Sequence, residues 1–239
     1  MSGHSKWANI KRQKEANDKV KGSVFAKLSR LITLAIVEGN GVADPEYNVR
    51  LRLAIDKAKD ANMPKENISR AIEKGSGPDS SQIKEVRYEA FGPGGTALLI
   101  IASTDNNNRT NAEIRNILER HGGKMGGMGA VHYMFSHVAA AIFNKSQNSE
   151  EALFEFASTH NASDFYEDDH EFVAFFPYED LGKIKHYTTA LALQSVEEEY
   201  KATTTVPVDT AAGDKLSELI GALEELDDVH NVYTNASIA

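Results

Sequence analysis

Apolar residues recur at helical spacing in the first third of the chain. The first run consists of Val24, Phe25, Leu28, Leu31, Ile32, Ala35 and Ile36, and it ends at Gly39 and Gly41. Steps of three and four residues are typical of a helix with one buried face. A second helix is predicted to open at Asp44-Pro45-Glu46 and a third near Pro64, since proline favours a first turn. Residues 22–75 are therefore predicted to form a three-helix unit, with Gly75 at its end.

The periodicity changes after residues 76–81, which have the Gly- and Ser-rich composition of a linker. Residues 85–91 alternate between apolar and polar, Gly92-Pro93-Gly94-Gly95 favours a turn, and residues 96–103 are almost entirely apolar. This pattern predicts a β-hairpin. Downstream, the pattern predicts a helix at 109–121 with Ala112, Ile114, Ile117 and Leu118 as its apolar set, a glycine-rich loop at 122–129 and a strand at 131–135.

The rest of the chain continues to alternate between strand and helix patterns. Strands are predicted at 138–143, 164–166, 172–176, 196–202, 203–208 and 229–234, and helices at 149–159, 178–192 and 211–226. The last strand–helix–strand would complete the first α/β unit. The predicted fold is therefore α+β and multidomain, with two ferredoxin-like domains, the second inserted into the first. The expected boundaries are a basic arm at 1–21, the helical domain at 22–75, the linker, one α/β domain at 82–135 plus 203–239, and the inserted domain at 136–202.

Charged residues are unevenly distributed between the N-terminal third of the chain and the rest. The net formal charge is −9, and taken alone this argues against nucleic-acid binding. Residues 1–80, however, hold 15 Lys and Arg against 10 Asp and Glu, and the first 30 residues hold 8 against 2. The remainder is strongly acidic. This asymmetry indicates a basic element for nucleic acid or an anionic surface, attached to an acidic body.

The candidate phosphate contacts lie mainly in the basic arm. Its cations are Lys6, Lys11, Arg12, Lys14, Lys19 and Lys21. Paired with phosphates, they would give salt-dependent binding that tolerates sequence changes. Trp7, the only tryptophan, could stack on an unpaired base or anchor the arm to the helical core.

Three arginines outside the arm complete the candidate set. Arg50 and Arg52 lie on the second predicted helix, where interleaved acids make a solvated charged surface the competing interpretation. Arg109 follows the polar segment Asp105-Asn106-Asn107-Asn108, whose residue types also favour turns and helix caps. The glycine-rich loop lacks the P-loop and dinucleotide signatures, and it either approaches RNA closely or serves as a mobile connector.

Other function classes have little support in the residues. There is no cysteine, which excludes thiol chemistry, disulfides and thiolate metal sites and fits a reducing compartment. The chain lacks an apolar run long enough for a membrane span or a secretory signal. No catalytic constellation and no cofactor site is predicted. A hydrolase or a metal enzyme using the acidic stretch Glu167-Asp168-Asp169 with its flanking histidines is the weaker alternative.

Several motifs occur together in order along the chain. They are Ser2-Gly3-His4-Ser5-Lys6-Trp7-Ala8-Asn9-Ile10-Lys11, the run from Asn48 to Lys59, Ala61-Asn62-Met63-Pro64-Lys65, Tyr88-Glu89-Ala90-Phe91-Gly92-Pro93-Gly94-Gly95 and Asn108-Arg109-Thr110. With these motifs the chain resembles the YebC/PmpR family, which includes the mitochondrial translational activator of cytochrome c oxidase. The resemblance reaches the C-terminus and is strongest in residues 2–135.

The resemblance implies a cytosolic protein with a helical N-terminal domain and two α/β domains. Bacterial members are described as DNA-binding transcriptional regulators, and other members are tied to translation on the ribosome. Together with the charge asymmetry, this predicts a non-enzymatic, nucleic-acid-binding regulator of gene expression. The expected target is DNA, and the alternative is a ribosome-associated translation factor that contacts ribosomal RNA or tRNA.

Overall fold

The computed structural model describes residues 21–77, 83–167, 169–188 and 190–238. Its helices are α1 (Lys21–Glu38), α2 (Val49–Asp60), α3 (Lys65–Ser76), α4 (Asn107–Arg120), α5 (Glu150–Thr159), α6 (Ile184–Tyr187) and α7 (Thr210–Glu224). Its strands are β1 (Lys84–Phe91), β2 (Ala97–Thr104), β3 (Lys124–Met125), β4 (Phe135–Asn144), β5 (Asp164–Glu167), β6 (Glu171–Pro177), β7 (Leu193–Ala202), β8 (Val206–Val208), β9 (Val229–Thr234) and β10 (Ala236–Ile238). None of the described helices is both long and apolar enough to cross a lipid bilayer.

The three N-terminal helices pack around a common apolar core. Leu28, Ile32 and Ile36 of α1 meet Leu51 and Ile55 of α2 and the apolar side of α3. α2 begins later than the Asp44-Pro45-Glu46 pattern predicts. The Asp44 side chain accepts the backbone N–H of Glu46 in a local turn, and Asn48 caps the helix by accepting the N–H of Leu51.

The first sheet has the strand order β3-β1-β2-β9, and all of its pairings are antiparallel. α4 and α7 cover one face, where Leu98, Ile100 and Ala102 join the core. The other face of β2 carries Leu99 and Ile101 and packs against β7 residues. β2 is thus buried on both sides, which explains why its sequence is a continuous apolar run rather than an alternation.

The second sheet has the order β5-β6-β4-β7 and is built from the chain order β4-α5-β5-β6-α6-β7. This arrangement is ferredoxin-like. The chain leaves the first sheet after β3, completes the second sheet, and returns to the first through α7 and β9. The α+β multidomain fold with an N-terminal helical unit and one α/β unit inserted in another is therefore confirmed.

Further segments differ from the sequence-based prediction, and one of them is the predicted loop at 122–129, where Lys124–Met125 forms β3 against β1. Residues 178–192 were expected to be one helix, but of the residues described in this range only Ile184–Tyr187 are α-helical. Gly182, a poor helix former, lies against Val49, and a Cβ there would come within 3.0 Å of a Val49 methyl group. Residues 131–135 were expected to be a strand, but His132–Met134 forms a 3₁₀ turn and the strand begins at Phe135.

Candidate nucleic-acid interface

The structure describes only part of the predicted interface. Lys6, Trp7, Lys11, Arg12, Lys14 and Lys19 lie outside the described residues. Lys21 is the first residue of α1, and its side chain is not described. The three candidates whose side chains are described are Arg50, Arg52 and Arg109, and their contacts decide whether each guanidinium can reach a phosphate.

Arg50 lies at the point where the helical unit meets both sheets. Its guanidinium forms ion pairs with Glu38 of α1, with Glu85 of β1 at 2.8 Å and with Glu198 of β7 at 3.1 Å. Burial lowers the pKa of Arg50, but Glu198 and Glu85 outweigh burial and raise it above the ordinary value. Its side chain is 31% exposed, and its donors are directed at carboxylates. The arrangement makes Arg50 a cross-link between the three units.

Glu198 also contacts His137, in addition to its ion pair with Arg50. The ring nitrogen Nε2 of His137 lies 2.8 Å from Oε1 of Glu198. The His137 ring stacks between Tyr178, at a centroid distance of 3.8 Å, and Tyr200, at 4.6 Å. Burial raises the pKa of Glu198, but the hydrogen bond from His137 and the charge of Arg50 outweigh burial and lower it. The carboxylate therefore stays ionised and available to Arg50.

Arg52 is only two positions from Arg50 but has a different environment. Its Nη1 donates to the backbone oxygen of Pro45 at 3.1 Å, and its side chain is half-buried. This single bond leaves the other guanidinium donors without a carboxylate partner among the described residues. Of the described candidates, Arg52 retains the most capacity to donate to an anion.

Arg109 lies at the start of α4 and is paired with two carboxylates. Its Nη2 is 2.8 Å from Asp228 and 3.0 Å from Asp105. Asn106 caps the helix by accepting the Arg109 backbone N–H at 3.2 Å, as its residue type predicts. The hydrogen bond and the charge of Asp228 raise the pKa of Arg109. The guanidinium is thus positioned against the protein's own acids.

Asp228 is the residue that sequence reasoning missed. Its side chain is 4% exposed, and it also pairs with Arg30 and accepts from the Thr110 hydroxyl at 2.6 Å. Burial raises the pKa of Asp228, but the hydrogen bonds from Arg109 and Thr110 and the charge of Arg30 lower it overall. No sequence pattern distinguishes this aspartate from its neighbour Asp227, because its partners lie about 120 or more positions away along the chain.

A carboxylate also holds the glycine-rich loop. Glu89 in β1 accepts the backbone N–H groups of Gly129 and Val131 at 2.6 Å and of His132 at 2.8 Å. Burial raises the pKa of Glu89, but these hydrogen bonds outweigh it and lower the pKa. Because the donors of residues 131 and 132 are occupied in this way, they do not enter a strand ladder. These bonds add to the backbone pairing of β3 with β1, which attaches the earlier part of the loop to the sheet.

The glycine-rich loop and the 3₁₀ turn that follows it, His132–Met134, carry exposed large side chains. Met128 is fully exposed, and Tyr133 is 71% exposed. An aromatic ring presented to solvent on a fixed backbone can stack on an unpaired base. The sequence-based analysis named the loop as a close-approach element but did not single out Tyr133, whose exposure depends on the 3₁₀ turn.

Exposed cations on α3 alternate with acids. Lys65, Arg70 and Lys74 are exposed, and so are Glu66 and Glu73 on the same helix. This distribution fits the solvated-surface interpretation of the helical charges. Within the described ranges, no three His, Asp or Glu side chains come together in a group able to hold a metal ion.

Family comparisons cover nearly the whole chain. Residues 5–78 match a model described as the TACO1/YebC protein N-terminal domain, and residues 83–236 match one described as the TACO1/YebC second and third domain. A protein of Thermoanaerobacter pseudethanolicus is 43% identical over 242 residues, which span 100% of this chain and 98% of that protein. A protein of Brachyspira hyodysenteriae is 40% identical over 241 residues, at 100% and 97% coverage. Both are named probable transcriptional regulatory protein.

A solved structure supports the same relationship. It is a crystal structure of a conserved hypothetical protein from Aquifex aeolicus, with 37% identity and a TM-score of 0.85. The match covers 93% of this chain and 92% of that one. With two family models that together span most of the chain, and full-length relatives at about 40% identity, the chain belongs to the TACO1/YebC family.

Proposed function

We propose that the protein is a non-enzymatic regulator of gene expression that binds nucleic acid through the cations of residues 1–21. The observation that carries the proposal is the division of charge, with 8 basic and 2 acidic residues among the first 30. Phosphate neutralisation by such a segment releases counterions and gives affinity without a fixed sequence. The names of the relatives, probable transcriptional regulatory protein, support a regulatory role.

The ion pairs of Arg50 and Arg109 reduce the number of residues that we assign to phosphate binding. Arg50 and Arg109 each pair with carboxylates of the protein, so each would have to exchange an internal ion pair for an external one. We assign these two arginines to holding the units together. The arm cations and, secondarily, Arg52 carry the binding role in the proposal.

The excess of acidic residues after position 80 restricts where nucleic acid can bind on the protein. Residues 81–239 hold 11 basic and 25 acidic side chains, so phosphates are repelled from most of that surface. Binding is therefore confined to the N-terminal end of the molecule. In this arrangement the α/β units set the orientation of the complex and meet protein partners.

The test is crosslinking of the full-length protein to total nucleic acid in growing cells, with the bound sequences identified. Recovery of promoter DNA supports the proposal of a DNA-binding transcriptional regulator that acts in the cytoplasm. Failure to recover any nucleic acid above the level of a variant with Lys6, Lys11, Arg12 and Lys14 changed to alanine overturns it.

A second candidate is a ribosome-associated translation factor. The observation that favours it is the 3₁₀ turn His132–Met134, which follows the glycine-rich loop, is held by Glu89 and presents Tyr133 to solvent. Unpaired bases of ribosomal RNA or tRNA stack on exposed aromatic rings, whereas bases within duplex DNA are already stacked. Here the loop contributes as much as the arm.

The two candidates separate in a sedimentation experiment. Co-sedimentation with ribosomes at about 150 mM salt, weakened by Tyr133→Ala and combined with no promoter preference, favours the translation factor. Selective promoter binding that is unchanged by Tyr133→Ala favours the transcriptional regulator. Phe165→Ala is the control, since Phe165 is also an exposed aromatic side chain but lies on β5.

A further inference from the structure

The second sheet has one face whose apolar side chains meet no described helix, and we call it the helix-free face. On the opposite face, α5 and α6 contribute apolar side chains to a common core with the strands. The apolar residues that the pairing registers place on the helix-free face are Val138, Ala140 and Ile142 of β4 and Val173 and Phe175 of β6. They form a cluster to which no described helix contributes a side chain.

The five apolar residues of the helix-free face are nevertheless buried, and none is more than 6% exposed. Neighbouring side chains provide part of the cover. The Nζ of Lys201 lies 5.3 Å from the ring centre of Phe175, and Tyr166 packs against the cluster from β5. Because a sheet buries an apolar face against another element, we expect a further segment of polypeptide to lie on this face.

Acidic side chains surround the apolar centre of the helix-free face. Glu197 and Glu199 lie on β7 next to β4, and Glu171 lies at the start of β6. The remaining charged strand residues of this face are Asp164 and Lys201, which pair with each other. Four acids against one lysine favour a covering segment that is basic and has a few apolar side chains.

Residues 1–20, which lie outside the described residues, have this composition. They hold two acids, the apolar Trp7 and Ile10, and the cations Lys6, Lys11, Arg12, Lys14 and Lys19. The undescribed segment 78–82 is shorter and has no cation. Twenty residues extend up to about 70 Å, whereas a chain of this length has a radius of gyration of about 18 Å, so residues 1–20 can reach the helix-free face from α1.

We propose that residues 1–20 dock on the helix-free face when no nucleic acid is bound, with their cations near Glu197 and Glu199 and Trp7 against the apolar centre. Docked cations are not available to phosphates, so this face competes with nucleic acid for the same segment. If about one chain in ten is undocked, nucleic acid binds about tenfold more weakly than it would to an undocked segment. The competition rests on the proposed function, whereas the docking does not.

Trp7 is the only tryptophan and the chain has no cysteine, so docking can be located in the full-length protein without nucleic acid. A nitroxide spin label, which quenches tryptophan emission at short range, is attached at Ser136→Cys, an exposed position on the helix-free face. The matched control is a label at Ser158→Cys, an exposed position on α5 at the opposite face. The label at position 136 is expected to quench Trp7 more strongly than the label at position 158. Equal quenching overturns the proposal.

Glu197→Lys combined with Glu199→Lys tests the role of charge. This variant is expected to lose the excess quenching at position 136 and to bind a labelled duplex DNA about tenfold more tightly, because docking no longer competes. Asp214→Lys combined with Glu218→Lys on α7 makes the same change of charge at exposed positions and controls for general attraction to DNA. Quenching that the first variant leaves unchanged overturns the docking, and a gain in affinity no larger than that of the control overturns the competition.

A second variant keeps the test available if the first does not fold. Replacement of Lys6, Lys11, Arg12 and Lys14 by alanine changes no described residue and should also remove the excess quenching at position 136. Retention of that quenching counts against the docking. A wild-type protein without measurable affinity for DNA overturns the competition together with the proposed function, and the quenching experiment then decides the docking alone.

Discussion

Arg50 in α2 donates from Nη2 to Oε2 of Glu85 in β1 across 2.8 Å, and this contact joins the helical unit to the first sheet. The same guanidinium reaches Glu198 in β7 and so joins the second sheet as well. One side chain thereby contacts all three units. Arg50, which the sequence predicts to be a phosphate contact, instead pairs with carboxylates of the protein in the folded structure.

Replacing Arg50 by alanine is expected to destabilise the protein. The change leaves Glu85 and Glu198 without their shared cation, and Glu198 is largely buried beside His137. Removing one partner of such a network is expected to lower the free energy of unfolding by about 1–3 kcal/mol, allowing for partial solvent exposure. Urea denaturation with linear extrapolation measures the change.

Arg52→Ala is the matched control for that experiment. It removes the same chemical group from the same helix, but within the described ranges the Arg52 side chain makes one hydrogen bond, to the Pro45 backbone oxygen. Its expected effect is below about 1 kcal/mol. Equal losses for the two variants would contradict the structural role assigned to Arg50.

Asp228→Asn tests the second ionic centre. The asparagine keeps the shape of the side chain but removes the charge that Arg30 and Arg109 share. Because Asp228 is buried and both arginines are partly exposed, we expect a loss of about 1–3 kcal/mol in unfolding free energy. Asp105→Asn, at an exposed partner of Arg109, should cost less than about 1 kcal/mol. A loss for Asp105→Asn that matches the loss for Asp228→Asn would refute this ranking.

His230 gives the protein a specific dependence on pH. Burial, together with the charges of Lys27 and Lys57, lowers the pKa of His230 to about 3. Its Nε2 lies 2.6 Å from Ser103 Oγ, while its buried Nδ1 has no hydrogen-bond partner among the described residues. In the unfolded chain this imidazole takes up a proton near pH 6.5, whereas in the folded protein it stays neutral at that pH. The free energy of unfolding therefore falls as the pH drops below about 6.5.

The expected slope is up to about 1.4 kcal/mol of unfolding free energy per pH unit between about pH 6.5 and 4.5. Most carboxylates of an unfolded chain titrate below that window, near pH 4. His230→Gln retains a donor for Ser103 and should reduce the slope by up to this amount, as measured by urea titrations across the window. The control is His186→Gln, which makes the same substitution at an exposed position. An unaltered slope in His230→Gln would show that another group is responsible.

Glu89→Ala is expected to release the C-terminal end of the glycine-rich loop, and the turn that follows it, from the sheet. It removes the acceptor for the N–H groups of Gly129, Val131 and His132. Hydrogen bonds to a charged acceptor contribute about 1.5–3 kcal/mol each, so exchange of these amides should accelerate by about tenfold to a hundredfold. Hydrogen exchange followed by NMR measures this, with Glu113→Ala on α4 as the control. Unchanged exchange would mean that Glu89 does not hold the loop.

The pH dependence of the loop has a defined sign. The pKa of Glu89 is lower in the folded protein than in the unfolded chain. The contribution of Glu89 to the stability of the protein is therefore complete above the pKa of Glu89 in the unfolded chain. It is lost as the pH falls through the pKa of Glu89 in the folded protein. In the wild type, exchange at Val131 should accelerate in acid beyond the intrinsic chemical rate, and in Glu89→Ala this excess should be absent.

Local patterns predicted most elements of the fold because burial follows periodicity within each element. The apolar steps of α1 and the double-sided burial of β2 are both visible in the sequence. The segment after Pro177 misled the prediction, since Leu181 and Ile184 have helical spacing although Gly182 disfavours a continuous helix. Such a failure arises where a contact with another unit, here Val49, competes with local propensity.

The candidate site was less predictable than the fold. The sequence shows that Arg50 and Arg109 are cations near polar or acidic neighbours, but it does not show that Glu198 and Asp228 meet them from distant strands and loops. Ion pairs between residues far apart in sequence depend on the packing of whole units. For the same reason, the sequence does not show that three backbone N–H groups donate to Glu89. It shows only that Glu89 belongs to the motif Tyr88-Glu89-Ala90-Phe91-Gly92-Pro93-Gly94-Gly95.

The salt dependence of nucleic-acid affinity tests the central claim that the N-terminal arm, and not Arg50 or Arg109 of the folded units, supplies most of the phosphate neutralisation. The measurement is a fluorescence anisotropy titration of labelled duplex DNA with the full-length protein over a series of salt concentrations. The variant replaces Lys6, Lys11, Arg12 and Lys14 by alanine. The control replaces four exposed cations of the described region, Lys65, Arg70, Lys74 and Lys84.

If about five arm cations contact duplex phosphates, the slope of log affinity against log salt is near −4.5. The arm variant should reduce its magnitude by about 3.6, at about 0.9 for each lost contact, while the control variant keeps the wild-type slope despite the same change in charge. A slope that the arm variant leaves unchanged, or an affinity that does not depend on salt, would contradict the account.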